Sequence, residues 1–247
     1  MRALIKVFLK LSYSNFMESI KSGQEGNTSI SSLQKLLLIC GILSSLLYVT
    51  ATIVGAIFWE SYSTVSQSVS ELFAIEAPSR PFVTPLLAPY GPLTLAFGLG
   101  LWLSAGDKKI IRILAGLMLL YGIVNLIASF FPMHLVGAVD SMTLTDKMHI
   151  LLTTLTVLLI LAMIGFGAFA FGKKFRLYSL GTLLLVFVFG IWAGLDGPRM
   201  AAHLPAPWMG IKERINIFGF LLWVAVLAVE MLGTPSPPQA RDKGAGP

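Results

Sequence analysis

Six uninterrupted apolar stretches, each near the length of a membrane-crossing helix, decide most of what this chain can become. A hydrocarbon core of roughly 30 Å takes about 20 apolar residues at 1.5 Å rise each. Between its charges the sequence offers such stretches at 36–59, 82–106, 113–133, 150–172, 177–195 and 215–229. The runs are continuous rather than alternating, so helices are expected and strands are not. Composition agrees. Only 12% of the 247 residues are charged, 55% are hydrophobic, and mean hydropathy is +0.80. A soluble fold carries roughly a quarter charged residues and could not cover its surface with so few. These figures exclude a cytosolic enzyme, a disordered scaffold and a nucleic-acid module. The expected class is all-α: a six-transmembrane-helix bundle over residues 33–233. A basic cytoplasmic tail precedes it (1–32) and a Pro- and Gly-rich disordered cytoplasmic tail follows it (234–247).

The cations give the expected orientation. Arg2, Lys6, Lys10, Lys21, Lys35, Lys108, Lys109, Arg112, Lys173, Lys174, Arg176, Arg241 and Lys243 fall on one side, thirteen in all. Arg80, Lys147, Arg199, Lys212 and Arg214 fall on the other. The richer side marks the cytoplasm, so both termini are expected inside, with the cell membrane as the expected location. This asymmetry accounts for the net charge of +6 without nucleic acid. The first 30 residues do not read as a cleavable signal, because Lys6 and Lys10 interrupt the apolar stretch. They read either as an interfacial helix on anionic lipid or as a basic tail. Ser31 and Gln34 have the spacing of a capping box that starts helix one. The single cysteine, Cys40, excludes an intrachain disulfide and a Cys-based zinc site.

The polar residues gather on the expected outer side, which is where a site is sought. Between helices one and two, Val65, Val69, Leu72 and Phe73 form one helical stripe. Ser66 and Ser70 share another face, with Glu71 beside them. A short amphipathic helix is expected there, either packing over the bundle or contributing Ser70 and Glu71 to a site. Pro85, Pro89 and Pro92 free carbonyls in span two and predict a kinked helix. Tyr121, Asn125 and Ser129 form a stripe at i, i+4 and i+8, read either as an interhelical hydrogen-bond seam or as a polar path. Asp146 and His149, at i and i+3, share a face. The acid either orients the imidazole for acid–base chemistry or caps the helix N-terminus. Span six is short, about 22 Å between Arg214 and Glu230. Glu213 and Arg214, or Glu230, must therefore approach the hydrocarbon; Glu213 needs a partner, with Arg80 and Arg199 as candidates, and Lys212 and Arg214 can snorkel.

Together these motifs resemble the six-helix family known as domain of unknown function 998. The carriers are Ser68-Val-Ser70-Glu71-Leu72, Ala77-Pro78 and Arg80 after helix one, and Phe131-Pro132 at the end of helix three. His149 opening helix four and Gly210-Ile-Lys-Glu213-Arg214-Ile215 opening helix six complete them. Family members often have an acid two residues after the Phe-Pro, where this chain has His134. The short outer helix is also similar to the lipid-linked Frag1/DRAM/Sfk1 group. The first resemblance implies a fold and no established activity.

Two functions follow from the residues. One is an enzyme acting on a lipid or lipid-linked substrate at the outer membrane edge. Its candidate catalytic groups are Asp146, His149, Glu213, Ser70 and Glu71. Its candidate substrate-binding groups are Arg80, Asn125, Ser129, His134, Arg199, His203, Arg214 and Asn216. A zinc version would draw on His134, His149 and His203 with Asp146, but no HExxH spacing supports it. No metal and no cofactor are expected. The alternative is a carrier, lipid-handling, accessory or structural membrane protein without catalysis. Membrane lipids are the expected partners under either reading.

Overall fold

The computed structural model describes residues 31–202, 204 and 206–234. The expected interfacial helix or basic tail, the expected disordered tail and the candidate residue His203 lie outside the described residues, apart from the few residues where those tails join the bundle. Every regular element described is helical. The elements are α1 (Ser32–Ile57), a single 3-10 turn (Ser70–Phe73), α2 (Arg80–Leu87), α3 (Tyr90–Ser104), α4 (Lys109–Ala128), α5 (Leu144–Gly167), α6 (Lys173–Gly194), α7 (Gly197–Ala201) and α8 (Met209–Gly233).

Six segments are long and apolar enough to cross a membrane, with α2 and α3 forming the second and α6 with α7 the fifth. The chain is an integral, multi-pass membrane protein. Each span packs on the next in chain order, and α8 closes the ring against α1. Lipid tails are as apolar as the side chains between helices, so close packing rather than water exclusion must hold the ring together. Gly41 illustrates this: a Cβ there would lie 2.8 Å from the Phe97 ring, so only a bare backbone lets α1 and α3 approach this closely. Phe97, Leu101, Met118, Met163, Phe220 and Trp223 fill the centre. Trp223 donates its indole N–H to Ser179 Oγ at 3.0 Å, which satisfies the buried polar tip. Large exposed side chains such as Leu46, Leu184 and Leu222 form an apolar outer wall suited to lipid.

Local sequence explains the boundaries. The capping box expected at Ser31 and Gln34 is present at the start of α1. Thr143 and Asp146 form another at the start of α5. Span two breaks at Ala88-Pro89, where α2 stops and α3 begins. Pro92 sits in the first turn of α3, where a missing N–H costs nothing. Span six begins at Met209, six residues before the apolar run, so Lys212, Glu213 and Arg214 are helical.

The expected amphipathic helix between spans one and two is not formed. In its place stand turns and the single 3-10 turn at Ser70–Phe73. The cause is local side-chain competition for the backbone. Ser63 Oγ accepts the Ser66 N–H (3.2 Å), and Gln67 Oε1 accepts the Ser63 N–H (2.8 Å). Ser68 and Glu71 cap each other: the Ser68 N–H donates to Glu71 Oε2 at 2.6 Å and the Glu71 N–H to Ser68 Oγ at 3.2 Å. The stripe splits accordingly, with Val69 and Leu72 fully buried and Val65 exposed. Trp59, Tyr62, Leu72, Ala74 and Ala77 form a second small core with Met133 and Leu135. Residues 58–79 are thus a cap with its own core, seated at one end of the bundle. The connections 129–143 and 195–208 lie at this same loop-rich end, because alternate helix ends must.

Candidate functional site

The cap is held to α8 by consecutive residues of its first turns. Glu213 reaches across the chain and accepts the Val69 N–H at Oε2 (2.5 Å) and the Ser70 hydroxyl at Oε1 (3.4 Å). Arg214 turns to the other side of the cap. Its Nη1 donates to the carbonyls of Thr64 (2.8 Å), Gln67 (3.4 Å) and Gly210 (3.1 Å), and its Nη2 to Tyr62 Oη (2.7 Å). Tyr62 in turn donates to the Ser68 carbonyl at 2.7 Å. Burial pushes the Tyr62 hydroxyl up to about 12, outweighing the nearby guanidinium, so the phenol keeps the proton it donates. The Ile211 N–H closes the junction on the Val65 carbonyl at 3.2 Å.

Lys212, between neighbours that face the cap, turns into the bundle instead. It is 4% exposed, forms an ion pair with Asp196 and lies 4.8 Å over the Trp192 ring. The expectation that Lys212 snorkels is therefore wrong. Asp196 at the end of span five supplies a countercharge inside the protein, so the ammonium need not reach water. The partner expected for Glu213 is also different. Neither Arg80 nor Arg199 holds it; a backbone N–H and a hydroxyl of the cap do. Arg80 instead donates to the Phe73 carbonyl at 3.3 Å, and Arg199 lies on the short α7.

A second polar group ties the cap to α5. Asp146 caps its own helix through Thr143 and accepts the His134 backbone N–H at 2.8 Å. His134 Nδ1 lies 3.1 Å from Asp146 Oδ2, and Nε2 lies 3.9 Å from Glu76 Oε1. Glu76 Oε2 accepts the Leu135 N–H (2.9 Å), and the Ile75 N–H donates to the Met133 carbonyl (2.9 Å). The histidine paired with Asp146 is thus His134. The expected partner, His149, has its Nδ1 3.3 Å from the Phe131 carbonyl and no hydrogen bond to the acid. Spacing at i, i+3 places Asp146 and His149 on one face. Backbone capping turns the carboxylate back toward the loop, where His134 stands.

The remaining candidates are separate from these clusters. Asn125 donates to the Tyr121 carbonyl (2.8 Å) and Ser129 to that of Leu126 (2.7 Å), each within its own helix. Asn216 is buried and donates to the Val186 carbonyl at 2.8 Å, joining α8 to α6. Among the described residues no group of three or more His, Cys, Asp or Glu side chains is arranged to hold a metal.

Beneath the cap an open groove of about 330 Å³ runs between α1 and α8. Thr52, Ile53, Ala56 and Ile57 of α1 form one wall, and Phe218 and Arg214 of α8 the other, with Thr64 of the cap at the end. The lining is apolar apart from the two threonines and the guanidinium.

Several of these residues escaped sequence reading. Tyr62, Glu76, Asp196 and Gly210 act through partners 16 to more than 140 positions away. The Ser68-x-x-Glu71 spacing was the one local signal available, since it is a capping-box pattern.

The Ser-Val-Ser-Glu run and the opening of α8 are thus structural contacts of one cap, while the carbonyls of Phe131 and Pro132 meet His149 and Thr145 of α5. These are the positions that carry the family resemblance. The chain belongs to the family described as protein of unknown function (DUF998), which it matches over residues 42–230. No curated protein and no solved structure matches it, so the likeness to the Frag1/DRAM/Sfk1 group has no counterpart in these comparisons.

Proposed function

We propose that this protein binds a membrane lipid at its loop-rich end and serves as a lipid-handling or accessory protein rather than a catalyst. The observation that carries the reading is the groove between α1 and α8, apolar along its length and ended by one cation. An acyl chain fits the walls, and the cap supplies the polar end. The acids argue in the same direction. Glu71, Asp146 and Glu213 each accept a backbone N–H and so hold a loop in place. With the arginine- and lysine-rich face in the cytoplasm, the groove opens at the extracytoplasmic leaflet of the cell membrane.

The test is lipid retention by the purified full chain in mild detergent, read by native mass spectrometry. Ile53 is more than half exposed and lines the groove, so Ile53→Trp fills it without entering the core. Wild type is expected to retain a stoichiometric lipid and Ile53→Trp to lose it; equal retention would overturn the reading. A second reading, catalysis on a lipid-linked substrate, draws on the Asp146–His134 pair, in which a carboxylate orients an imidazole. It requires turnover of a lipid substrate that His134→Gln abolishes while lipid retention persists.

A further inference from the structure

We infer that the groove selects lipids bearing a phosphate, and that Arg214 is the group that reads it. This rests on the lipid-binding reading above and adds the headgroup class to it. A guanidinium has five N–H donors. The cap engages Arg214 through Nη1 and Nη2, and the Nε–H takes no part in these bonds. The Nε–H is therefore the donor left to meet a phosphate oxygen.

The surroundings fit an incoming anionic group. Arg214 lines the groove, whereas the neighbouring carboxylate, Glu213, does not; it is turned onto Val69 and Ser70. Lys212, the other cation of this turn, is already paired with Asp196 inside the bundle. Both cations sit in the first two turns of a 25-residue helix. One of them has a buried countercharge. The other interacts electrostatically with Glu213 and lines an apolar trough, its Nε–H outside the bonds to the cap. A glycerophospholipid satisfies both features at once: a phosphodiester on the guanidinium and an acyl chain along Ile53, Ala56, Ile57 and Phe218. The phosphate is the shared element, so zwitterionic and anionic headgroups are both accepted.

The experiment compares ligands of equal chains on the full-length protein in detergent, by native mass spectrometry. The probes are dioleoyl phosphatidylglycerol, dioleoyl phosphatidylcholine and dioleoylglycerol, with inorganic phosphate as competitor. Both phospholipids are expected to be retained about tenfold better than dioleoylglycerol. Arg214→Gln is expected to bring them down to the diacylglycerol level. Ser79→Ala loosens the cap by removing the hydroxyl that holds the Leu72 carbonyl, without touching Arg214, and is expected to keep the preference. Equal retention of dioleoylglycerol by wild type overturns the phosphate inference and leaves the groove reading standing. Loss of the preference in Ser79→Ala to the same degree as in Arg214→Gln also overturns it, since cap integrity would then be the cause. Retention of no lipid at all overturns both. Binding of inorganic phosphate by a protein that retains neither phospholipid identifies free phosphate as the ligand and overturns the lipid assignment.

Discussion

The threonines of the membrane-embedded middle and the charged residues of the capped end satisfy their polar groups in different ways. In the middle, hydroxyls bond back to their own helix: Thr50 to the Leu46 carbonyl, Thr94 to Tyr90, Thr154 to Ile150 and Thr182 to Tyr178, each one turn away. Such a group is satisfied before any neighbour arrives. At the capped end the bonds run across the chain, from Glu213 to Val69, Arg214 to Thr64 and His134 to Asp146. Those groups are satisfied only in the assembled fold. These threonines are therefore close to neutral for assembly; the middle is crossed by a few bonds, such as Trp223 to Ser179 and Asn216 to Val186, whereas the end depends on such bonds to seat its cap.

Substitutions test this contrast, beginning with the deepest charge. Asp196→Ala leaves the Lys212 ammonium buried without its countercharge, and a loss of about 3–5 kcal/mol is expected. Unfolding of the purified protein in detergent measures it, and the double change with Lys212→Met is expected to recover most of the loss. Arg214→Ala withdraws the donor from three carbonyls and a phenol, for about 2–3 kcal/mol. Limited proteolysis within residues 58–79 is the sharper readout, because the cap should open before the bundle does. Gly210→Ala comes next, at about 1–3 kcal/mol. Its Cβ would lie 2.4 Å from the Gln67 carbonyl oxygen and 2.5 Å from that of Thr64, so the cap must lift. His134→Ala should cost about 1 kcal/mol, since its ring bonds are partly screened. At the bottom, Thr154→Val is expected to stay within about 0.5 kcal/mol. A large effect of Thr154→Val, or a negligible one of Arg214→Ala, would break the contrast.

The same contrast explains what could be read from the sequence. The six spans were legible because hydrocarbon demands long apolar runs and tolerates little else. The break in span two was legible from Pro89, and the start of α1 from Ser31 and Gln34, because each acts within one turn. The cap was not. Val65, Val69, Leu72 and Phe73 have helical spacing, yet Ser63, Gln67, Ser68 and Glu71 bind the local backbone and prevent the helix. Capping was one of two roles open to Asp146, and its histidine was misassigned, because i, i+3 spacing favoured His149 and only the return of the 129–143 loop brings His134 near. For Lys212 and Glu213 the sequence revealed that charge must enter the apolar layer. It held no sign that the pair would diverge, one toward Asp196 and the other toward Val69.

Gly210 and its neighbours impose an order on biogenesis. A chain made from its N-terminus delivers residues 58–79 early, while α8, which supplies Glu213 and Arg214, is the last span to be synthesised. Until then the Thr64 and Gln67 carbonyls and the Val69 amide lack their final partners. Completion of the first loop thus waits for insertion of the final helix. A ribosome-stalled product ending before Met209 should hold five spans in place yet leave this loop open to protease.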